Sequence, residues 1–231
     1  MAKYMIHCCL KRLWYVEKYL MPSMVEQGIK KEDIILYLDS NKDGCLKSHV
    51  KSFIEASKVK CTGMWHLQDD VVICRDFKKR AEEYDDGIVC GFQSQYDIDN
   101  LHFDGQSDGK NAWYSFPCIR IPTNIVLDYV NWFNLYVWRD PQYGKWVKEN
   151  KWDDTIWRIW LEQYHPHMPV LNLSPNLVDH IDYLIGGTTV NPKRRYPIVR
   201  AISFEDTDLV DELERKLKDD ICERQNRPNE T

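Results

Sequence analysis

Met64-Trp65-His66-Leu67-Gln68-Asp69-Asp70-Val71-Val72-Ile73 sets an apolar run directly against two adjacent acids. Such a run, too short for a helix and rich in aromatic and branched residues, reads as a buried strand ending in carboxylates. Alternation along an extended chain would send Asp69 and Asp70 to different faces, one free to meet a ligand while the other holds structure. In open α/β sheets ligands gather at the carboxyl ends of strands, which makes this triplet the first place to look for chemistry.

Working outward, Lys3–Cys9 is another short apolar run, and Leu10–Gln27 follows with Leu13, Val16, Leu20 and Met24 at helical spacing, kinked at Pro22 and ended near Gly28. Asp33–Leu38 is a second strand. The polar stretch Asp39–Gly44 turns the chain into a helix marked by Leu46, Val50, Phe53 and Ile54. Helix over Asp76–Tyr84 and strand over Gly87–Phe92 complete a strand–helix alternation, the pattern of an α/β fold with a mixed central sheet flanked by helices.

Beyond it, Ser94–Asn111 is polar and rich in Gly and Asp and reads as a loop, followed by a strand over Ala112–Ile121. Helices are expected over Asn124–Val137 and Asp153–Tyr164, then extended chain over His165–Leu173. Ser203-Phe204-Glu205-Asp206 resembles a capping box. It opens an amphipathic helix whose stripe is Leu209, Leu213, Leu217 and Ile221, so residues 1–200 read as one domain and 201–231 as a C-terminal helix and polar tail.

The 231 residues carry a net charge of -5, with 43% hydrophobic side chains, enough for a sizeable core. Glu205–Glu223 holds nine acids against three bases, which leaves the body near neutrality and without the broad positive charge of a duplex binder. Every apolar run is broken by charge, Asn or Pro, so no membrane span is expected. The eight cysteines form no CxxC pair, and the first residues lack the order of a secretory signal; together they predict free thiols in a cytoplasmic protein.

Asp39-Ser40-Asn41-Lys42-Asp43-Gly44 matches half a calcium loop, but Val50 stands at the twelfth position where a bidentate carboxylate is needed. Asp153 and Asp154 open a helix, where carboxylates sit well with the dipole in any case. His180, in Pro175-Asn176-Leu177-Val178-Asp179-His180, precedes Gly186-Gly187-Thr188-Thr189 and offers an imidazole beside backbone N–H groups. Lys193, Arg194 and Arg195 form a basic cluster suited to a diphosphate.

Taken jointly, Asp39 after the second strand, Gln68-Asp69-Asp70-Val71, the acid-led helix and the late segment Pro175–His180 make Lys3–Asn191 resemble a glycosyltransferase of the GT-A (Rossmann-like) fold. It is similar to small bacterial and phage enzymes of the lipopolysaccharide glycosyltransferase type, family 25. The resemblance implies a nucleotide-sugar donor, UDP-linked, and a divalent metal, manganese or magnesium. Asp70 and His180 would be the metal ligands. Asp39 would meet uracil or ribose, Asp69 beside Gln68 would orient the ribose or donor sugar, and Asp154 with Asp153 would contact the acceptor or serve as base. Gln68 stands where the family carries an acid.

The chemistry suits these residue types, since a departing diphosphate must be neutralised by a metal or by Lys193, Arg194 and Arg195. The acceptor is left open between a glycan, a small molecule and a modified nucleic-acid base, for which the nine tryptophans could stack. A sugar-phosphate nucleotidyltransferase would need a Gly-rich basic loop after the first strand, where this chain has Cys8-Cys9-Leu10-Lys11-Arg12. A non-catalytic scaffold using the terminal stripe is the remaining alternative. Donor sugar, stereochemistry and oligomeric state have no readable code.

Overall fold

The computed structural model describes residues 2–41, 43–94, 106–108, 116–137, 139, 153–186 and 199–226. Nine strands lie among them: β1 Lys3–Cys9, β2 Ile34–Asp39, β3 Gly63–Gln68, β4 Val71–Ile73, β5 Ile88–Cys90, β6 Gln106–Asp108, β7 Cys118–Pro122, β8 Pro169–Asn172 and β9 Val178–His180. Seven form one sheet in the order β2-β1-β3-β7-β5-β8-β6, and β4 and β9 form an antiparallel pair. Strands β2, β1, β3, β5 and β8 share one direction while β7 and β6 oppose it, which makes the sheet mixed and mostly parallel.

Helices cover both faces, as buried parallel strands require. The first helical run, α1, passes from a 3-10 turn at Leu10–Arg12 through Leu13–Tyr15 and a π turn at Val16–Leu20 to Met21–Glu26. Pro22 lies in the first turn of that last segment, so the π turn before it absorbs the missing N–H and the helix continues past the proline. The others are α2 Cys45–Ser57, α3 Phe77–Ala81, α4 Thr123–Trp132 with a π turn at Phe133–Val137, α5 Asp153–Tyr164 and α6 Thr207–Asn226. None of the described helices is long and apolar enough to cross a membrane.

Two cores result. One packs Tyr4, Ile6 and Cys8 of β1 against α1, α3, the β4–β9 pair and α6. The other packs β5, β7 and β8 against α2, α4 and α5. The second is aromatic: Phe53, Phe116, Tyr129 and Trp160 ring Trp157 at centroid distances of 5.7, 6.0, 4.9 and 5.1 Å.

Residues Val210, Leu213 and Leu217 place α6 against the first core. Leu213 and Leu217, the middle of the stripe that a scaffold would need, are therefore taken up by the body. Nor does a capping box start this helix. Ser203 Oγ donates to Asn176 Oδ1 at 2.9 Å and the Asp206 carboxylate accepts from Arg75, so both side chains serve tertiary contacts and the helix begins at Thr207.

His66 on β3 is buried against Phe53, at a ring distance of 4.6 Å, and its Nε2 has no hydrogen-bond partner among the described residues. Burial, with His49 and His7 nearby, holds its pKa well below the usual 6.5. The unfolded chain therefore takes up a proton near pH 6.5 that the folded chain refuses, and stability must fall as the pH drops through that value. Below pH 6.5 the wild type should lose about 1.4 kcal/mol per pH unit relative to His66→Phe. Urea titrations of both proteins at pH 7.5, 6.5 and 5.5 check this; a constant difference between them would contradict it.

Candidate functional site

The carboxyl ends of β2, β1 and β3 lie side by side. Cys9 is in register with Asp39, and His7 with Gln68. Strand β3 stops at Gln68, and Asp69 and Asp70 form the tight turn into β4. The alternation expected from an unbroken strand therefore does not apply, and the two carboxylates converge on one cation instead of facing apart. That cation is Arg12, from the 3-10 turn that follows β1.

Arg12 Nη1 donates to Asp69 Oδ1 at 2.8 Å and also to Asp70 Oδ2. The second oxygen of Asp69 accepts from the Cys9 amide at 2.6 Å, which fastens the turn to the end of β1. The Tyr15 hydroxyl donates to the Val71 carbonyl at 2.7 Å and fixes the outgoing strand to α1. Val71 is paired with His180 across β4 and β9, and the Ile181 amide donates to the Asp70 carbonyl at 2.8 Å. That register brings His180 Nε2 to 3.1 Å from Asp70 Oδ2.

The group is dry: Arg12 and the two aspartates expose 5% and 8% of their side chains. Burial would raise the Asp70 carboxyl, but the Arg12 guanidinium and then His180 outweigh it and hold Asp70 well below the usual carboxylate range. Burial would likewise lower His180, yet the Asp70 carboxylate prevails and raises it above 6.5. Asp69 is pushed up by burial and by its neighbour Asp70, with Arg12 opposing. These opposed shifts are what two carboxylates sharing one guanidinium produce. Beside them, burial and Asp69 push the Cys9 thiol up to about 11, which favours its protonated form.

One oxygen is left over. Asp70 Oδ1 is buried and has no hydrogen-bond partner among the described residues. An ionised buried oxygen without a donor costs on the order of 1–3 kcal/mol, which singles it out as an acceptor with capacity to spare at this strand edge.

No family model matches the chain. No curated protein matches it either. Among solved structures it is similar to the inositol-1-phosphate CTP transferase from T. maritima, at 12% identity and a TM-score of 0.46, over 94% of this chain and 96% of that one. A likeness at that score carries no argument about activity, and the site has to be judged on its own residues.

Of the residues singled out by sequence, Asp69, Asp70 and His180 come together. Asp39, half-buried at the end of β2, accepts from the Asp43 amide at 3.1 Å and lies two strand spacings, about 10 Å, from the end of β3. Gln68 closes β3, its amide donating to the Pro117 carbonyl at 3.1 Å. Asp153 and Asp154 open α5 on the opposite core, where the Asp154 carboxylate accepts from the Thr155 amide at 2.6 Å. Lys193, Arg194 and Arg195 lie outside the described residues, as does most of Ser94–Asn111.

Two residues escaped the sequence. Arg12 passed as part of a loop lacking glycine; its signal is position, the first arginine after a strand adjacent to one that ends in two acids. Asp179 is the other. Fully buried, it accepts from Arg200 Nε at 2.5 Å, the Ala201 amide at 2.7 Å and the His180 amide at 2.9 Å, and so ties Arg200 and Ala201 to the backbone at His180. The close approach at Gly91 completes the support, since a Cβ there would lie 2.9 Å from Cys118 Sγ; its carbonyl accepts from the Leu177 amide at 2.8 Å.

The GT-A resemblance implies a divalent ion on Asp70 and His180. Two ligands 3.1 Å apart are spaced as neighbours on one ion would be, but the donor set stops there: Asp69 is turned to Arg12 and the Cys9 amide, and among the described residues no three His, Cys, Asp or Glu side chains are placed to hold one ion. Arg12 already occupies the Asp70 oxygen that the ion would need. Arranged in this way, the residues do not fit a resident divalent ion.

Proposed function

We propose that this chain is a transferase that moves a sugar from a nucleoside-diphosphate donor, UDP-linked, to an acceptor hydroxyl. The observation behind the reading is the unpartnered, buried Oδ1 of Asp70, set between Arg12 and His180 at the carboxyl edge of parallel strands. A carboxylate in that position accepts hydrogen bonds from ribose or sugar hydroxyls. A nearby guanidinium favours the charge that develops on a departing diphosphate.

In the proposed reaction the acceptor oxygen bonds to the anomeric carbon as the bond from that carbon to the phosphate oxygen breaks. The electron pair leaves on the diphosphate. Asp39 holds the nucleoside end, Asp69 and Gln68 shape the donor pocket, and Lys193, Arg194 and Arg195 add charge toward the phosphates. An inverting transfer also needs a base for the acceptor proton; Asp154 is the residue we propose for it, on condition that the acceptor reaches across to the start of α5 on the other core.

Donor turnover tests the reading. With UDP-sugars as substrates, Asp70→Ala should lower release of UDP at least about 100-fold, the scale of losing one charged contact made in the transition state. Unchanged turnover in a folded Asp70→Ala protein would end it.

A further inference from the structure

We propose that Arg12 is the resident counter-ion of the acidic pair, a guanidinium in the place where a divalent cation would otherwise sit, so that Asp69 and Asp70 bind no divalent metal in this chain. The inference deepens the transferase reading, on which it rests for what the site is for, but its chemistry is decided by the cation alone.

Three observations carry it. The Arg12 side chain is buried and bonded to both carboxylates through Nη1, so it belongs to the interior and is not a surface arginine in passing contact. Asp70 Oδ2, the oxygen that faces His180, is already bonded to Arg12, and His180 Nε2 approaches that same atom at 3.1 Å, so the space between the two side chains is closed by existing contacts. The remaining carboxylate oxygen on the Arg12 side, Asp69 Oδ2, is spent on the Cys9 amide at 2.6 Å. A divalent ion entering here would share Asp70 Oδ2 with a buried guanidinium, two cations a few ångström apart in a medium that screens them poorly. Hydrated Mg²⁺ gives up its water reluctantly even to free carboxylates.

Arg12 does the neutralising without such an entry cost. It is permanently charged, its planar fork suits two carboxylates, and it is held in place by the chain, in the turn that directly follows β1. The arrangement also leaves Asp70 Oδ1 for a hydroxyl of the donor instead of a metal.

The test uses the full chain and Mn²⁺ alone, read by water-proton relaxation and by thermal unfolding. Wild type should show no saturable Mn²⁺ binding up to about 1 mM and a shift below about 1 °C, the level at which a ligand contributes nothing measurable to stability. Arg12→Met leaves the acids without a counter-ion and should gain saturable binding, at least about tenfold tighter than wild type, a gain of roughly 1.4 kcal/mol. Adding Asp70→Asn to that variant should abolish it. Where Arg12→Met fails to fold, refolding in Mn²⁺ should recover its far-UV signal. Saturable Mn²⁺ binding by wild type that Asp70→Asn removes would overturn the proposal, and so would an Arg12→Met protein that neither binds Mn²⁺ nor is rescued by it. Nucleotide binding is a separate readout: absence of any shift with UDP would sink the transferase reading and leave the Mn²⁺ result standing.

Discussion

Replacing Arg12 by methionine should destabilise the protein by about 3–5 kcal/mol, because removal of one member of a buried ion pair leaves the other without compensation. Here two carboxylates are left, with the Asp69 and Asp70 side chains each only 8% exposed. For a domain of this length each kcal/mol moves the melting temperature by about 2–4 °C, so a fall of roughly 6–20 °C is expected at pH 7. Combining Arg12→Met with Asp69→Asn and Asp70→Asn should restore most of the loss, since an uncharged hydrogen-bonded group is far cheaper to bury than an unpaired charge. A loss below about 1 kcal/mol in the single variant, the range of an exposed pair, would mean that the network does not hold the turn after β3.

A loss of similar size belongs to Trp157→Ala. The indole is fully buried within a ring of aromatic side chains, and truncation should cost about 3–5 kcal/mol through lost contacts and a residual cavity. Trp157→Phe should cost only about 1 kcal/mol. The smaller ring leaves some space, but it also removes an indole N–H that is buried with no acceptor among the described residues, which offsets part of the loss. Urea unfolding of the two variants separates the terms, and equal losses would show that ring packing is not what the site supplies. Because Trp157 stands one turn from Asp154, the alanine variant should also loosen the start of α5, on which the acceptor side of the proposed reaction depends.

The sequence carried much of the fold through periodicity. Lys3–Cys9 and the edge strand Ile34–Asp39 are parallel strands with near-continuous apolar runs, and the helices over Cys45–Ser57 and Asp153–Tyr164 show their apolar faces at three- and four-residue spacing. Strand order was beyond it. The antiparallel β7, inserted between β3 and β5, pairs with β3 residues more than fifty positions away, and nothing local encodes that neighbour. Ser203 and Asp206 misled for a related reason: the spacing of a cap was present, but Asn176 and Arg75, distant in sequence, compete for the same side chains.

The candidate site was legible in part. Two adjacent acids after an apolar run, and a late histidine, announce themselves by residue type, and β4 pairing with β9 brings them within 3.1 Å. Their geometry did not, because it depends on β3 ending one residue before Asp69 and on the turn that follows. Arg12 and Asp179 were hidden by ordinariness. A lone arginine after a strand and an aspartate beside a histidine acquire meaning only when the fold buries each against its partner.

The central claim, that the carboxyl edge of β1 and β3 is a nucleotide-diphosphate site, is tested most directly by thermal unfolding with UDP, GDP, CMP and ADP, each in EDTA and in Mn²⁺. A ligand at about a hundred times its dissociation constant adds roughly 2.7 kcal/mol, or about 5–10 °C for this chain. The account predicts such a shift with UDP in EDTA, little changed by Mn²⁺ and lost in Asp70→Ala. No shift with any of the four nucleotides, in either buffer, would contradict it.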